Sequence, residues 1–410
     1  MGKKTIWLVN EYNFPDYERS RQTNLCRLLD ERGYDTYIIS GSSMNKSVAN
    51  KITDNRKVVF VQAPEAKGYM IKTSNYSNTY ERVLVALQFQ LRLWKNRKQL
   101  PKPDVIVSDF AGLFGNVFLK WKKKYGTKVI YDILDLWPEG FVDLGYISKN
   151  SLIAKILYKM EHKSYKEADG IIFSMQGGRD YIIDKGWSNE VGGDVDTNVI
   201  GYLNNGVNLE KVDAQKDEYI LNDSDLDSNQ FKVIYLGSIS VTNGIDVLVE
   251  TAKVLQNRGN NNILILVYGY GNQEEKLKKM VVDYGLTNIK FKGELDYRYG
   301  LNVLSRGDLN IFTFRDSPLW KYGISPNKLF MYFASGKPVL SMIKPNYDLV
   351  VEKRAGISVE NNPEIVANAI EMFSQMDRNE YEDYCHNSRA VAVEYDYKNL
   401  VQVLIDKIEG

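Results

Sequence analysis

Short apolar runs of β-type residues alternate with longer amphipathic stretches along almost the whole chain, and they do so in two separate blocks. A strand that rejoins a parallel neighbour needs a crossover of a dozen or more residues, which a helix supplies. The alternation therefore predicts parallel sheets with right-handed connections. In the first block the predicted strands are 4–10, 37–39, 57–61, 104–108, 128–131, 170–173 and 198–203, with helices over 20–32, 80–99, 112–124 and 151–167. In the second block strands 231–236, 263–268, 289–292, 309–313 and 338–342 alternate with helices 244–258, 273–284, 297–305 and 327–334. The fold class that follows is α/β: two Rossmann-like, doubly wound domains facing a central cleft, with ligands at the carboxyl ends of the strands.

A chain of 410 residues exceeds one ordinary core. The polar, acidic stretch 213–230 interrupts the alternation and reads as lying near a boundary. The expected division is 1–208, then 209–390, then a last amphipathic helix within 391–410. Composition is that of a globular protein, 44% hydrophobic and 26% charged, and no apolar run reaches the ~18 residues that span a bilayer. The opening MGKKTIWLVNEY does not read as a signal peptide, and Cys26 and Cys385 read as thiols of a reducing, cytoplasmic compartment. Net charge is +1, but residues 1–205 hold 30 basic and 23 acidic residues whereas 206–410 hold 23 and 29. A basic first half fits an anionic membrane surface or a lipid-phosphate ligand. Nucleic acid is not expected, because no nucleic-acid motif accompanies the charge.

The stretch from Tyr322 to Leu340 carries the strongest chemical signal. A turn holding Ser325, Pro326, Asn327 and Lys328 opens an apolar helix that closes at Gly336-Lys337-Pro338 before a buried strand. A lysine at a helix start, beside unpaired amides, makes an anion site suited to phosphate. Gly237 and Ser238 follow strand 231–236 directly, and Thr242-Asn243-Gly244 opens the next helix, so backbone amides can approach a diphosphate there. Gly269 and Gly271 end the next strand, where a base or ribose would lie, and Phe291-Lys292-Gly293-Glu294-Leu295 is a second wall for the base. Arg315 and Lys321 bracket the phosphate region. For each of these the alternative is an ordinary turn or a solvated charge.

In the first half, Asp132, Asp135, Trp137 and Glu139 follow a predicted strand, and Arg21, with Arg19, starts the first helix. Carboxylates, an indole and a cation at strand ends fit an acceptor site. An N-cap, a packed ring and a surface ion pair are the plain alternatives. His162 and His386 lack metal-ligand spacing, so no metal is expected. Neither a Gly-x-Ser-x-Gly elbow nor a P-loop occurs. Segments 91–98 and 118–124 mix aromatics with lysine and arginine; they read equally as basic helix ends or as interfacial anchors.

With these residues in view, the chain resembles the retaining glycosyltransferases of family 4, of the GT-B type, and within them the bacterial capsule and O-antigen branch that includes L-N-acetylfucosamine transferases. The markers are Asp135–Glu139, Glu161 with Ala168-Asp169, Asn205–Asn208, Leu236–Gly244, Tyr268–Gly271, Ser325–Lys328 with Ala334–Pro338, Ala355-Gly356, and Arg389 with Tyr395. The resemblance implies an acceptor-binding first domain, a nucleotide-sugar-binding second domain, and a final helix that crosses back to the first. It implies a nucleotide-activated sugar donor, retention of anomeric configuration and no obligatory metal; the leading expectation is a UDP-sugar donor, a lipid-linked saccharide acceptor, no cofactor, and peripheral association with the inner face of the cell membrane. Lys328 and Asp135 would be catalytic. Gly237, Ser238, Asn243, Gly269, Gly271, Lys292, Leu295, Arg315, Ser325, Asn327 and Met331 would line the donor, and Arg21, Asp132, Trp137 and Glu139 the acceptor. One position departs from the pattern. The wider family carries a Glu-x7-Glu pair whose second member binds the ribose, and here Gly323 and Met331 occupy those places.

Two rival readings remain. Met331 motivates a non-catalytic subunit supporting a catalytic partner, since a thioether cannot accept ribose hydroxyls as a carboxylate does. A nucleotide-sugar epimerase would share the two-domain architecture, but the Ser325–Lys328 turn and the Asp135–Glu139 segment speak against it.

Overall fold

The computed structural model describes residues 2–410, which divide into two compact units, one over residues 2–204 plus 397–410 and one over 205–396. The first unit runs β1 (Thr5–Val9), α1 (Arg21–Glu31), β2 (Asp35–Gly41), β3 (Val58–Gln62), β4 (Lys67–Ile71), α2 (Thr79–Asn96), β5 (Val105–Ser108), α3 (Phe118–Tyr125), β6 (Lys128–Ile133), α4 (Glu139–Asp143), α5 (Leu152–Glu167), β7 (Gly170–Phe173), α6 (Gly178–Asp184) and β8 (Ile200–Tyr202). Its sheet has the order β3-β4-β2-β1-β5-β6-β7-β8 and is parallel except for the β3–β4 pair. The second unit runs α7 (Leu209–Glu218), β9 (Phe231–Leu236), α8 (Asp246–Asn257), β10 (Ile263–Tyr268), α9 (Glu274–Asp283), β11 (Ile289–Gly293), α10 (Gly300–Arg306), β12 (Leu309–Phe312), α11 (Asn327–Ala334), β13 (Val339–Ser341), α12 (Leu349–Glu352), β14 (Gly356–Ser358), α13 (Pro363–Ser374) and α14 (Arg378–Glu394). Its six strands are parallel in the order β11-β10-β9-β12-β13-β14.

Local chemistry accounts for the helix ends. The Ser20 side chain accepts the Thr23 amide at the start of α1, and Leu25, Leu28 and Leu29 bury one stripe of that helix. Ser151 caps α5 in the same way, and Asn362 before Pro363 caps α13. The last helix, α15 (Tyr397–Glu409), lays Tyr397, Val401, Leu404 and Ile408 into the first unit's core beside Ile6, Leu8, Leu28 and Ile130. Lys4 and Tyr34 both bond Glu409 near its end, at 2.8 Å each.

The structure departs from the sequence reading in four places. The chain doubles back at Ala63–Ala66, where the Ala63 amide meets the Ala66 carbonyl at 2.9 Å, so the first sheet ends in an antiparallel hairpin. Such a turn needs no crossover helix, and the short run Lys67–Ile71 carries no alternation to announce it. The predicted helix 112–124 begins as a separate 3-10 turn over Gly112–Phe114. The second sheet extends by the three-residue β14, followed by α13. The polar stretch 213–230, read as lying near a boundary, is held within the second unit. Asp213 pairs with Arg389, and Asp223 and Asp225 bind Lys292 and Lys290 within the second unit. The changeover falls earlier, between Asn204 and Asn205.

Because Leu404 is 1% exposed in the core that α15 closes, Leu404→Ala is expected to cost about 2–5 kcal/mol and Leu404→Met under ~1.5 kcal/mol. Urea unfolding of the two variants checks this; equal losses would show that α15 is held by something other than packing.

Candidate active site

In the second unit, β9, β10 and β12 lie side by side, and the loops at their carboxyl ends meet α11 around Lys328. Gly237 follows β9. A Cβ there would lie 3.2 Å from the Tyr235 hydroxyl and 3.4 Å from Lys328 Cδ, so this turn presses its bare backbone onto the lysine. Gly269 has φ +138, and a Cβ there would fall 1.8 Å from the Gly237 carbonyl oxygen. Gly271 is similarly close to Ile239, so the two glycines zip the β10 loop onto the β9 loop.

Lys328 is the second residue of α11, a helix whose N-cap, Pro326, provides no side-chain cap. Its ammonium lies 4.6 Å from the Phe314 ring centroid, 5.0 Å from Tyr235 and 5.2 Å from Phe312. It donates to Asn243 Oδ1 at 2.9 Å and more loosely to the Tyr235 hydroxyl at 3.4 Å. Because a lysine only donates, this bond fixes the Asn243 amide, whose Nδ2 then reaches the Ser238 hydroxyl at 2.8 Å and the Ser238 carbonyl at 3.0 Å. Burial without a carboxylate partner pushes the Lys328 ammonium down to about 7. A lysine so placed has a strong electrostatic demand for an anion.

Other residues expected at the donor site fall into three groups. Arg315 lies beside this centre: its Nε donates to the Val241 carbonyl at 2.6 Å, while its side chain stays 55% exposed. Ser238, on the turn after β9, and Asn327, the first residue of α11, are exposed, and Met331 is half-buried one helical turn beyond Lys328. Ser325 serves the backbone instead, its hydroxyl accepting the Asn205 amide at 3.1 Å and its carbonyl accepting Asn205 Nδ2 at 2.6 Å. Lys292 is engaged elsewhere, bonded to Asp223 at 2.8 Å and Asp225 at 2.9 Å, so its charge is already matched. Leu295 is half-buried, two residues past β11.

In the first unit the carboxyl ends of β1, β5 and β6 gather acids. Arg21 and Asp132 find each other: Arg21 Nε and Nη2 bind the two Asp132 oxygens at 3.0 and 2.8 Å, and its remaining donors reach the Leu203 and Asn204 carbonyls. Both side chains are nearly inaccessible, so this pair is an internal clamp from α1 to β6 and the end of the unit. Glu139 is also committed. Burial would raise its carboxyl, but Lys185 and Tyr158 outweigh that and hold it below the ordinary range. Trp137 packs edge-on against Phe114 and Phe141, with centroids 5.1 and 4.3 Å away. Asp135 remains accessible, and desolvation by the surrounding protein raises its carboxyl above the usual range.

Two residues that the sequence reading passed over complete this cluster. Glu11 follows β1 with 0% exposure; desolvation outweighs the neighbouring Tyr12 hydroxyl and the charge of Arg82 and pushes its carboxyl up to about 8. Asp109 follows β5, accepts the Asn10 amide, and is pushed far up by burial and by the charge of Asp132. Their signal was position alone, an acid one or two residues past a buried strand. Among the described residues, no group of three or more His, Cys, Asp or Glu is arranged to hold a metal ion.

Comparison with known proteins gives this arrangement its class. Residues 230–375 match the family described as Glycosyl transferases group 1. An uncharacterized glycosyltransferase of Methanocaldococcus jannaschii is 22% identical over 288 residues, 69% of each chain. Sucrose-phosphate synthase from Thermosynechococcus elongatus superposes with a TM-score of 0.71 at 15% identity, covering 98% of both chains. The E. coli trehalose-6-phosphate structure bound with UDP-2-fluoro glucose gives 0.74 at 10% identity, and Anabaena HepE in complex with UDP and glucose gives 0.64 at 14%, each covering 99% of both chains. The fold is thus that of the GT-B enzymes, with two parallel-sheet Rossmann-like units. The protein is a glycosyltransferase, and its second unit carries the group 1 match.

Two variants separate clamp from acid. Arg21→Ala leaves Asp132 buried and unpaired and is expected to cost about 3–5 kcal/mol in urea unfolding. Glu11 carries the opposite pH signature. Between its ordinary value of 4.5 and about 8, the folded chain keeps a proton that the unfolded chain has released, so its contribution falls as pH rises through that window. Glu11→Gln should match the parent near pH 5 and exceed it by roughly 5 °C in Tm near pH 8.5. A Tm difference that does not change with pH would refute the buried, protonated Glu11.

Proposed function

We propose that the protein moves a sugar from a UDP-sugar to a lipid-linked saccharide in surface polysaccharide synthesis, with retention of configuration, as in the family 4 branch that includes L-N-acetylfucosamine transferases. The observation that carries the donor half is Lys328: a buried ammonium with three aromatic faces, an amide oxygen and no carboxylate, beside a bare Gly237 turn. A diphosphate is the anion such a site suits, and structures of similar fold hold UDP or a UDP-sugar analogue. Lys328, with Arg315 beside it, would stabilise charge developing on the leaving diphosphate, a role that other enzymes give to a metal. Asp135, the accessible carboxyl of its cluster, would meet the acceptor.

The acceptor half rests on the surface of the first unit. Leu152, Ile153 and Ile156 of α5 are 74%, 62% and 50% exposed, close in sequence to exposed Leu144 and Tyr146. Lys149, Lys155, Lys159 and Lys163 are exposed along the same segment. Apolar side chains interleaved with lysines favour peripheral docking on an anionic membrane face. Of the two readings left open for segment 118–124, burial favours the basic helix end: Trp121 is 1% exposed, with Trp94 packed edge-on against it at 4.6 Å. No helix among the described residues is long and apolar enough to cross a membrane.

A second reading, a non-catalytic subunit, draws on Met331 in place of the ribose-binding acid. Calorimetry with UDP separates the two. Under the catalytic reading UDP binds, and Lys328→Ala lowers its affinity by about 100-fold or more and abolishes transfer with the circular dichroism spectrum unchanged. Because free Lys328 titrates near 7, a bound diphosphate must draw a proton onto it above that pH. Titrations in buffers of different ionisation enthalpy should show uptake of up to one proton at pH 8. Absence of UDP binding to the parent would favour the non-catalytic subunit, and retained transfer by Lys328→Ala would remove Lys328 from the mechanism.

A further inference from the structure

A groove of about 430 Å³ opens on the first unit, lined by residues of α2, the Gly112–Phe114 turn, α3 and α5. Its apolar lining includes Leu87, Leu113, Val117 and Leu119, and Leu91 stands beside them 71% exposed. Three lysines line it as well: Lys120 and Lys123 from α3 and Lys163 from α5. One carboxylate comes near them, Glu167, 3.7 Å from Lys123. The groove thus combines an apolar lining with a cationic margin that the protein itself only partly neutralises. Pockets of roughly 300–1,000 Å³ hold small organic ligands, so one chain fits here, whereas a bilayer leaflet does not.

Charge complementarity selects the occupant. An apolar chain alone would leave the ammoniums of Lys120 and Lys163 without a carboxylate and that of Lys123 with only the loose Glu167 pair, and inorganic phosphate alone would leave the leucines exposed. A hydrocarbon chain ending in phosphate answers both demands. Lys163 belongs both to this groove and to the exposed lysine row of α5, so the groove adjoins the surface with membrane-docking character. We propose that this groove binds the phosphate and adjoining hydrocarbon of a lipid-phosphate-linked acceptor. The proposal rests on the lipid-linked reading of the acceptor and adds the place where the lipid is gripped.

The test uses the full chain and three probes in calorimetry below their micelle concentrations: dodecyl phosphate, inorganic phosphate and dodecyl maltoside. Dodecyl phosphate is expected to bind at least tenfold more tightly than either of the others. The double variant Lys120→Glu/Lys123→Glu should lose at least tenfold of that affinity. Leu113→Trp, which fills the groove, should do the same, with UDP binding unchanged in both. Equal binding of dodecyl phosphate and inorganic phosphate would mean an adventitious anion only. Unchanged binding of dodecyl phosphate by both variants would place it elsewhere; either result overturns the proposal. The acceptor reading fails separately: parent protein that binds dodecyl phosphate in the groove yet transfers sugar only to acceptors without lipid keeps the site and loses that function.

Discussion

A parallel strand cannot rejoin its neighbour through a tight turn, and every crossover must travel back along the sheet before the next strand begins. In both units this forces the loops that follow the strands onto one edge. There β1, β5 and β6 deliver Glu11, Asp109 and Asp135, and β9, β10 and β12 deliver Gly237, Gly269 and Phe314. Helices cover the faces and leave that edge for chemistry. Residues far apart in sequence become neighbours for this reason: the Tyr332 hydroxyl donates to the Leu236 carbonyl at 3.0 Å, tying α11 to β9 across nearly a hundred residues.

Given that frame, the balance of charge separates side chains that have a counter-charge from those that do not. Arg21, Lys292 and Lys185 each sit against a carboxylate, and an ion pair inside a protein is the ordinary way to accommodate a buried charge. Lys328 differs because its neighbours are rings and an amide, which stabilise an ammonium only partly. The first unit shows the converse. Glu11 and Asp109 are buried near other acids, and the pull of Arg82 and the Tyr12 hydroxyl on Glu11 does not offset its burial, so both carboxyls are held above the ordinary range. The second unit's lysine lacks a carboxylate partner, a mismatch that an anionic ligand can correct.

How legible these sites were in the sequence depended on whether the signal was local. Strand 263–268 was read to the residue because six buried β-type residues in a row leave no other reading, and α11 was read from its Asn-Lys start and Gly-Lys-Pro stop. The hairpin β3–β4 was missed because its turn, Ala63–Ala66, carries no glycine and its strands no alternation. That Lys328 opens a helix could be read locally, whereas the commitments of Lys292 and Glu139 could not. Their partners, Asp223 and Lys185, lie 69 and 46 residues away, a distance in sequence that only the fold converts into a bond. Glu11 was overlooked for the opposite reason: a charged residue in a loop reads as solvated, and nothing nearby announces that the chain closes over it.

Met331 bears on how the donor energy would be divided. In the family that the sequence resembles, a carboxylate at this place takes the ribose hydroxyls, and a thioether would offer only a weak acceptor. The helix itself is unchanged by the exchange: Met331 is half-buried, its carbonyl still accepts the Ser335 amide at 3.2 Å, and Tyr332 beside it holds β9. The loss is therefore confined to one hydrogen-bonded contact, worth about 1.5–3 kcal/mol where the acceptor is charged. A donor bound without it leans more heavily on the diphosphate. A cationic grip that is desolvated before the ligand arrives is the arrangement that gains most from an anion, because part of the cost of removing water has already been met by the fold.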